Sequence, residues 1–326
     1  MESIDCLNYI EKMNQWGKER KPFIFIFDYE LKNPILLPLG EAAENGIYFT
    51  FDNLNNTDLQ SIEKREFTFS KFPVTYQVFK KSFDQVVTQI KLGNSFLTNL
   101  TFPTQIVTDL TLPEIFQRSE APYKLLHKNQ FVVFSPELFV TISGGTIASY
   151  PMKGTIDASI PDAETKILND PKETAEHHTI VDLIRNDLSM VATNVKVERF
   201  RFLNAIRTHN QTLLQVSSEI TGELPENYLE HLGEIITKLL PAGSICGAPK
   251  KKTLEIISQS EIYERGYYSG VFGVFDGTDL KSAVMIRFIE KIGEQYVFKS
   301  GGGITSLSDS KMEYHELIDK VYVPIY

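Results

Sequence analysis

The chain has 326 residues, 42% of them hydrophobic, and carries 33 basic against 42 acidic residues for a net charge of −9. That length allows one large domain or about two ordinary ones, and lets the chain bury roughly three quarters of its unfolded surface without staples. The acidic balance excludes the basic face that nucleic acid requires, and an anionic ligand must be held by local donors or a metal.

Taken in chain order, the opening MESID has neither a basic stretch nor an apolar run, so no signal peptide is expected. Cys6 and Cys246 match neither a disulfide framework nor a metal-ligand spacing, and a cytoplasmic location is expected. The apolar run at residues 23–27 falls far below the ~20 residues of a membrane span. No repeat, low-complexity segment or linker divides the chain, which reads as one unit over 1–326. Residues 1–65 carry the fewest signals. Residues 131–134 and 138–142 are rich in strand formers, and Gly144-Gly145 makes a hairpin turn into 146–149. Asp170-Pro171-Lys172-Glu173 combines an N-cap acid, Pro at N1 and Glu at N3, with Ile180, Leu183, Ile184 and Leu188 on one helix face. A strand is expected at 213–220. A helix follows from Tyr228 through Leu239, closed by Pro241. Residues 271–275 run into Asp276-Gly277 and return as one strand through 283–289. The strand at 295–299 then leads into a loop at Gly301–Gly303. Ser310-Lys311-Met312-Glu313 reads as a second capping box, opening a helix with Leu317, Ile318 and Val321 on one face. Strands clustered in hairpins with long helices between them predict an α+β fold.

Two pairs of acids stand out. Glu173 and Glu176 share one predicted helix face, and Glu313 and Glu316 share another. Two such helices facing each other make a hard-oxygen site suited to Mg²⁺. Solvated helix surface is the alternative for either pair alone. Capping at N3 occupies Glu173 and Glu313, which leaves Glu176 and Glu316 as the better ligands. The GSICGAPK stretch at 243–250 lacks the Gly-Lys-Ser/Thr of a P-loop. It reads as a loop entering a helix near Pro249, whose free N–H groups suit a carboxylate. Gly301–Gly303 allow close approach of backbone to a ligand; plain turns are the alternative for both stretches. His177 and His178 point apart on their helix. Lys153, in PMKGT, reads as a strand-end lysine before a polar loop, a place usually solvated.

Together these segments resemble the chorismate-utilising enzymes. PMKGT at 151–155, EHHTIVDLIRND at 176–187, PAGSICGAPK at 241–250, RGYYSG at 265–270, Ile286-Arg287, GGGI at 301–304 and DSKMEYHELIDK at 309–320 occur in the family's order, with Ser135-Pro136-Glu137 and Asn99-Leu100-Thr101 upstream. The likeness covers residues 70–326, the expected catalytic core, behind a short variable part at 1–65. It implies two large antiparallel sheets stacked as a sandwich with helices outside and the site in the cleft between them. It also implies that Mg²⁺, held by Glu176 and Glu316 with Glu173 and Glu313 behind, binds the ring carboxylate of chorismate. Arg287 and Tyr268 then hold the enolpyruvyl carboxylate with the Gly301, Gly302 and Gly303 amides. Gly154, Thr155 and Ser244 line the ring, and Lys320 pairs with the metal carboxylates.

Lysine at position 153 resembles the aminodeoxychorismate synthase component I branch, which supplies p-aminobenzoate for folate. Alanine there goes with anthranilate synthases. The resemblance implies that Lys153 attacks C2 and expels the C4 hydroxyl, with Glu137 as general acid, before ammonia from a glutamine amidotransferase subunit adds at C4. Two positions depart from the pattern. Gln215 replaces a histidine near the leaving oxygen, which moves the proton burden to Glu137. Leu97 stands where water-using relatives carry a lysine base, which argues against hydroxylation. Anthranilate synthase component I and a non-catalytic chorismate-binding protein are the alternative readings.

Overall fold

The run Phe23–Phe27 is a strand buried along its whole length because both of its faces are covered. Successive side chains alternate across a strand. Phe23, Phe25 and Phe27 pack with Trp16, Ile180 and Ile236 beneath helices, and Ile24 and Ile26 pack against the opposite sheet. This computed structural model describes residues 4–52, 54–57, 65–207 and 212–325. The expectations concerning Met1–Ser3 and the Cys6 side chain lie outside the described residues. Among the described helices none is long and apolar enough to cross a membrane.

Two large antiparallel sheets form the core. The first runs in the order Met152–Asp157, Thr212–Glu223, Thr146–Ser149, Leu138–Ser143, Leu280–Val284, Val271–Phe275, Phe23–Phe27, Ile35–Pro38, with Thr193–Arg207 also paired to Thr212–Glu223. The second runs Gly247–Ala248, Leu97–Thr108, Gln295–Ile304, Phe288–Ile292, Phe131–Ser135, Tyr123–His127, Ile47–Phe51, Leu54–Asn55, with Phe69–Phe72 at Leu97–Thr108. Their facing surfaces meet through Ile24, Ile26, Phe49, Phe51, Val133 and Phe272, with the Phe51 and Phe272 rings 4.9 Å apart between centroids. Helices cover the outer faces, among them Tyr76–Lys91 over Leu100 and Phe102. The α+β class and the stacked antiparallel sheets expected from the sequence are what the chain forms. Phe272→Ala opens a void at this inter-sheet contact and is expected to cost about 3–5 kcal/mol, read as a lower urea midpoint with an unchanged slope.

Several local expectations need correction. The single strand expected over 283–289 is two strands in different sheets, Leu280–Val284 and Phe288–Ile292. The chain crosses from one sheet to the other at Met285–Arg287, and Arg287 takes φ 53°. The glycine run is no loop: it continues the strand as Gln295–Ile304. The helix expected from Tyr228 begins as a 3₁₀ turn, Tyr228–His231, before Leu232–Lys238. In the last helix the cap is Asp309, whose Oδ1 accepts from the Lys311 and Met312 amides at 3.0 Å each. Glu313 is therefore one place past N3. It is buried in the site.

Candidate active site

A cleft of about 380 Å³ lies between the two sheets, and every residue singled out from the sequence for catalysis, substrate or metal lines it. One wall is the strand Met152–Asp157, paired with Thr212–Glu223. Thr155 stands opposite Gln215, and the register shifts between Met152 and Thr155. Lys153 is thus inside a strand rather than at its end, which corrects the loop-edge reading. Gly154 absorbs the irregularity at φ +80°, and a Cβ there would sit 3.1 Å from Glu173 Oε2. Only glycine takes that conformation at no steric cost.

The facing wall is the strand Gln295–Ile304, where Gly301, Gly302 and Gly303 pair with Thr101, Leu100 and Asn99. At Gly301 and Gly303 the space a side chain would need is taken. A Cβ on Gly301 would collide with the Thr101 side chain. One on Gly303 would lie 2.9 Å from Leu97 Cδ1 and 3.9 Å from Lys153 Nζ, so the amine faces the glycine wall with Leu97 beside it. One on Gly302 would lie 3.5 Å from Glu313 Oε2, 3.7 Å from Lys320 Nζ and 3.9 Å from Glu316 Oε1, so three charged groups converge on one point. Lys320 Nζ donates to Glu316 Oε1 at 2.7 Å and to Gly301 O at 2.9 Å.

The other acidic pair arrives on the helix Pro171–Leu188, opened by Asp170, whose Oδ1 accepts from the Glu173 amide at 2.9 Å. Buried His177 fastens this helix to the sheet through Ser218 Oγ at 2.7 Å. Loss of hydration pulls its pKa down to about 4, so the ring is neutral. His178 is exposed, yet both histidine rings lie against Phe200, at 5.8 and 4.9 Å between centroids, so they share a neighbour rather than pointing apart.

The remaining groups come from the sheet crossing and its neighbours. Arg287 sits in left-handed backbone, and its buried Nε has no hydrogen-bond partner among the described residues. A strained cation with an unmet donor inside a cleft marks a place for an anion. Burial pushes the Tyr268 hydroxyl up to about 12 and keeps it a donor. Burial also raises the pKa of Glu137 above the usual carboxyl range, opposed by the Ser244 hydroxyl and by the charges of Lys153 and Arg287. A carboxyl held toward its acid form is suited to giving up a proton.

The GSICGAPK segment contributes Ser244 and Ile245 to the cleft, not the helix N-terminus expected to hold a carboxylate. Its Lys250 instead pairs with Asp187 at 2.8 Å and tethers two helices. Asn99, Lys299 and Ser300 also line the cleft and were not singled out as contacts from the sequence. Lys299 is nearly buried against Glu290 at 2.7 Å, and its place just before the glycine run was the available signal.

Among the described residues no three or more His, Cys, Asp or Glu side chains form a ready-made metal cage. Mg²⁺ is commonly held by one or two carboxylates, with water and substrate oxygens completing its shell. The donor set here is four glutamates from two helices on one cleft, all hard oxygens, and it fits that mode of binding.

The cleft sets a lysine amine, an arginine and bare backbone against carboxylates on two helices, a donor and acceptor set that could take a small polyanion together with a cation. The chain belongs to the chorismate-binding enzyme family: the family's profile, described as chorismate binding enzyme, matches residues 41–325. An uncharacterized PabA-like protein of Pasteurella multocida is 50% identical over 97% of this chain and 98% of its own length. Aminodeoxychorismate synthase component 1 of Bacillus subtilis is 32% identical over 82% of this chain, which spans 60% of that protein. An anthranilate synthase component 1 of Haloarcula marismortui is also 32% identical, over 90% of this chain and 60% of its own length. The menaquinone-specific isochorismate synthase of Escherichia coli shares the fold, with a TM-score of 0.73 at 14% identity over 98% of this chain and 81% of that one.

Proposed function

We propose that this protein aminates chorismate at C4, as an aminodeoxychorismate synthase component 1 does, with Lys153 as nucleophile. The observation that carries the reading is Lys153 itself, a lysine at the alanine position of anthranilate synthases, standing in one cleft with the four glutamates and Arg287. Arg287 and Tyr268 grip the enolpyruvyl carboxylate, and the Gly301–Gly303 amides add donors that no side chain obstructs. Glu176 and Glu316, with Glu173 and Glu313 in support, would hold Mg²⁺, which when bound would supply charge for the ring carboxylate and draw electron density from the diene. The Lys153 amine forms a bond to C2 as both ring double bonds shift and the C4–O bond breaks. Glu137 passes its proton to the departing oxygen, which leaves as water, and the Gln215 amide donates a hydrogen bond to it. Ammonia then bonds to C4 as the C2–N bond breaks, both ring double bonds return to their first positions, and a proton from the new C4 ammonium restores Glu137. Leu97 beside the amine has no group to activate water, which favours an amine as the incoming nucleophile. A glutamine amidotransferase subunit is the proposed ammonia source, in keeping with the PabA-like name of the Pasteurella relative.

The test is product identity. Purified protein is incubated with chorismate, ammonium and Mg²⁺, the downstream lyase is added, and the products are read by mass spectrometry. p-Aminobenzoate is the expected product. Anthranilate would favour the other branch, and unchanged chorismate would contradict an enzyme of either kind. Glu137→Gln keeps the shape of the site but has no proton to transfer, and kcat is expected to fall by about 10²–10⁴-fold. Steady-state rates beside chorismate affinity, which should change little, check this.

A further inference from the structure

We propose that Arg265 and Glu261 are positioning residues for this cleft: one buried ion pair holds in register the three segments that supply Ser244, Asn99 and the glycine wall. The inference rests on the chorismate reading above. Neither residue lines the cleft, and their side chains are 1% and 3% exposed. The Arg265 fork donates from Nε and Nη2 to the two Glu261 oxygens at 2.9 and 2.7 Å. The same guanidinium reaches two walls of the cleft, through Nη1 to Ile245 O at 3.0 Å and Nη2 to Asn99 O at 2.8 Å. Its planar face lies over the Tyr29 ring, 4.6 Å from the centroid, so the fork has little freedom to turn.

Glu261 carries the bridge to the glycine wall. Its Oε1 accepts from Thr101 N at 2.9 Å and Thr101 Oγ1 at 2.6 Å. Thr101 stands opposite Gly301 in the sheet, and its side chain fills the space a Gly301 Cβ would need. The Gly301 carbonyl in turn accepts from Lys320, the ammonium paired with Glu316. From the other side Lys299, two residues before Gly301, donates to Arg265 O at 2.9 Å. The guanidinium therefore ties the Ser244 loop to the Leu97–Thr108 strand, Glu261 with Thr101 and the Arg265 carbonyl with Lys299 carry the link to the glycine strand, and the chain of contacts ends on a carboxylate of the cleft. A shift of about 1 Å in such groups costs about 100-fold in rate.

The test separates position from stability. Replacing a buried ion pair by apolar residues of similar volume is often neutral for stability, so the double variant R265M/E261L removes the hydrogen bonds while filling the space. Asn99 O and Thr101 N lose these buried partners, so some loss of melting temperature is expected; measured well below the transition, kcat/KM for chorismate falls by about 100-fold. Full kcat/KM in the folded double variant overturns the proposal. Should that variant fail to fold, Thr101→Val removes the hydroxyl's links to Glu261 and Tyr263 and keeps the Thr101 amide bond to Glu261. An about 10-fold loss of kcat/KM at unchanged melting is then expected, half the logarithmic effect of the full clamp, and unchanged kinetics overturns the proposal. Should wild type turn over no chorismate, the functional reading fails by itself and calorimetric chorismate affinity decides. Weaker binding by either variant supports positioning, and equal binding refutes it.

Discussion

Lys153→Ala is expected to lower formation of aminated product by at least about 10³-fold, because on the proposed chemistry it removes the nucleophile rather than a contact. The lysine amine faces bare glycine backbone across the cleft, 3.9 Å from the place a Gly303 Cβ would take. Shortening it to a methyl leaves the strand pairing and the carboxylates intact. The loss should therefore appear in kcat with the melting temperature unchanged. Any residual turnover is expected to shift toward anthranilate, since an alanine site leaves ammonia as the only nucleophile at C2. Wild-type output from this variant would remove the lysine from the chemistry.

Glu176→Gln and Glu316→Gln, made separately, are each expected to raise the Mg²⁺ concentration for half-maximal rate by at least about 10-fold, or to abolish activity. An amide keeps the shape of the side chain but contributes no charge to the metal, and even supporting groups around metal sites cost about 10–100-fold when lost. The two carboxylates come from helices far apart in sequence, Pro171–Leu188 and Ser310–Asp319, so parallel shifts in both variants would reflect one shared ion. The Mg²⁺ titration of initial rate checks this, and an unaltered curve in either variant removes that residue from the ligand set. Lys320 is paired with Glu316 in the structure, so Lys320→Met should change the same titration less than either carboxylate variant.

Much of the fold was legible because local chemistry and tertiary packing agree. Asp170, Pro171 and Glu173 start their helix by capping alone. Gly144-Gly145 turn the Leu138–Ser143 and Thr146–Ser149 strands as their φ values of 55° and 80° require. The misreadings fall where long-range contacts override local signals. Residues 283–289 are apolar apart from Arg287, and nothing local says that the chain leaves one sheet and enters the other there. The three glycines read as a loop because glycine is costly in a strand. They are tolerated because Thr101 and Leu97 occupy the space that side chains would need.

The site was legible for a different reason. Its acidic pairs, Lys153 and Arg287 sit in segments that carry the family's motifs, so position came from resemblance and not from local propensity. Motif membership does not by itself tell a contact from a brace. Asp187 and Lys250 lie in two of those segments yet tether helices to each other. Arg265 opens a third and sits behind the cleft wall, bonded to the backbone of residues that do line it. Only the three-dimensional arrangement separates these roles, because a buried fork on carbonyl oxygens and a substrate-facing fork have the same sequence signature.

The account turns on a covalent bond between Lys153 and the substrate ring, and intact-protein mass spectrometry addresses it directly. Protein mixed with chorismate and Mg²⁺ in the absence of ammonia should gain the mass of chorismate less one water, mapped by peptide analysis to Lys153 and lost on adding ammonium. Aminated product forming steadily with no such adduct, or an adduct on any other residue, would contradict it.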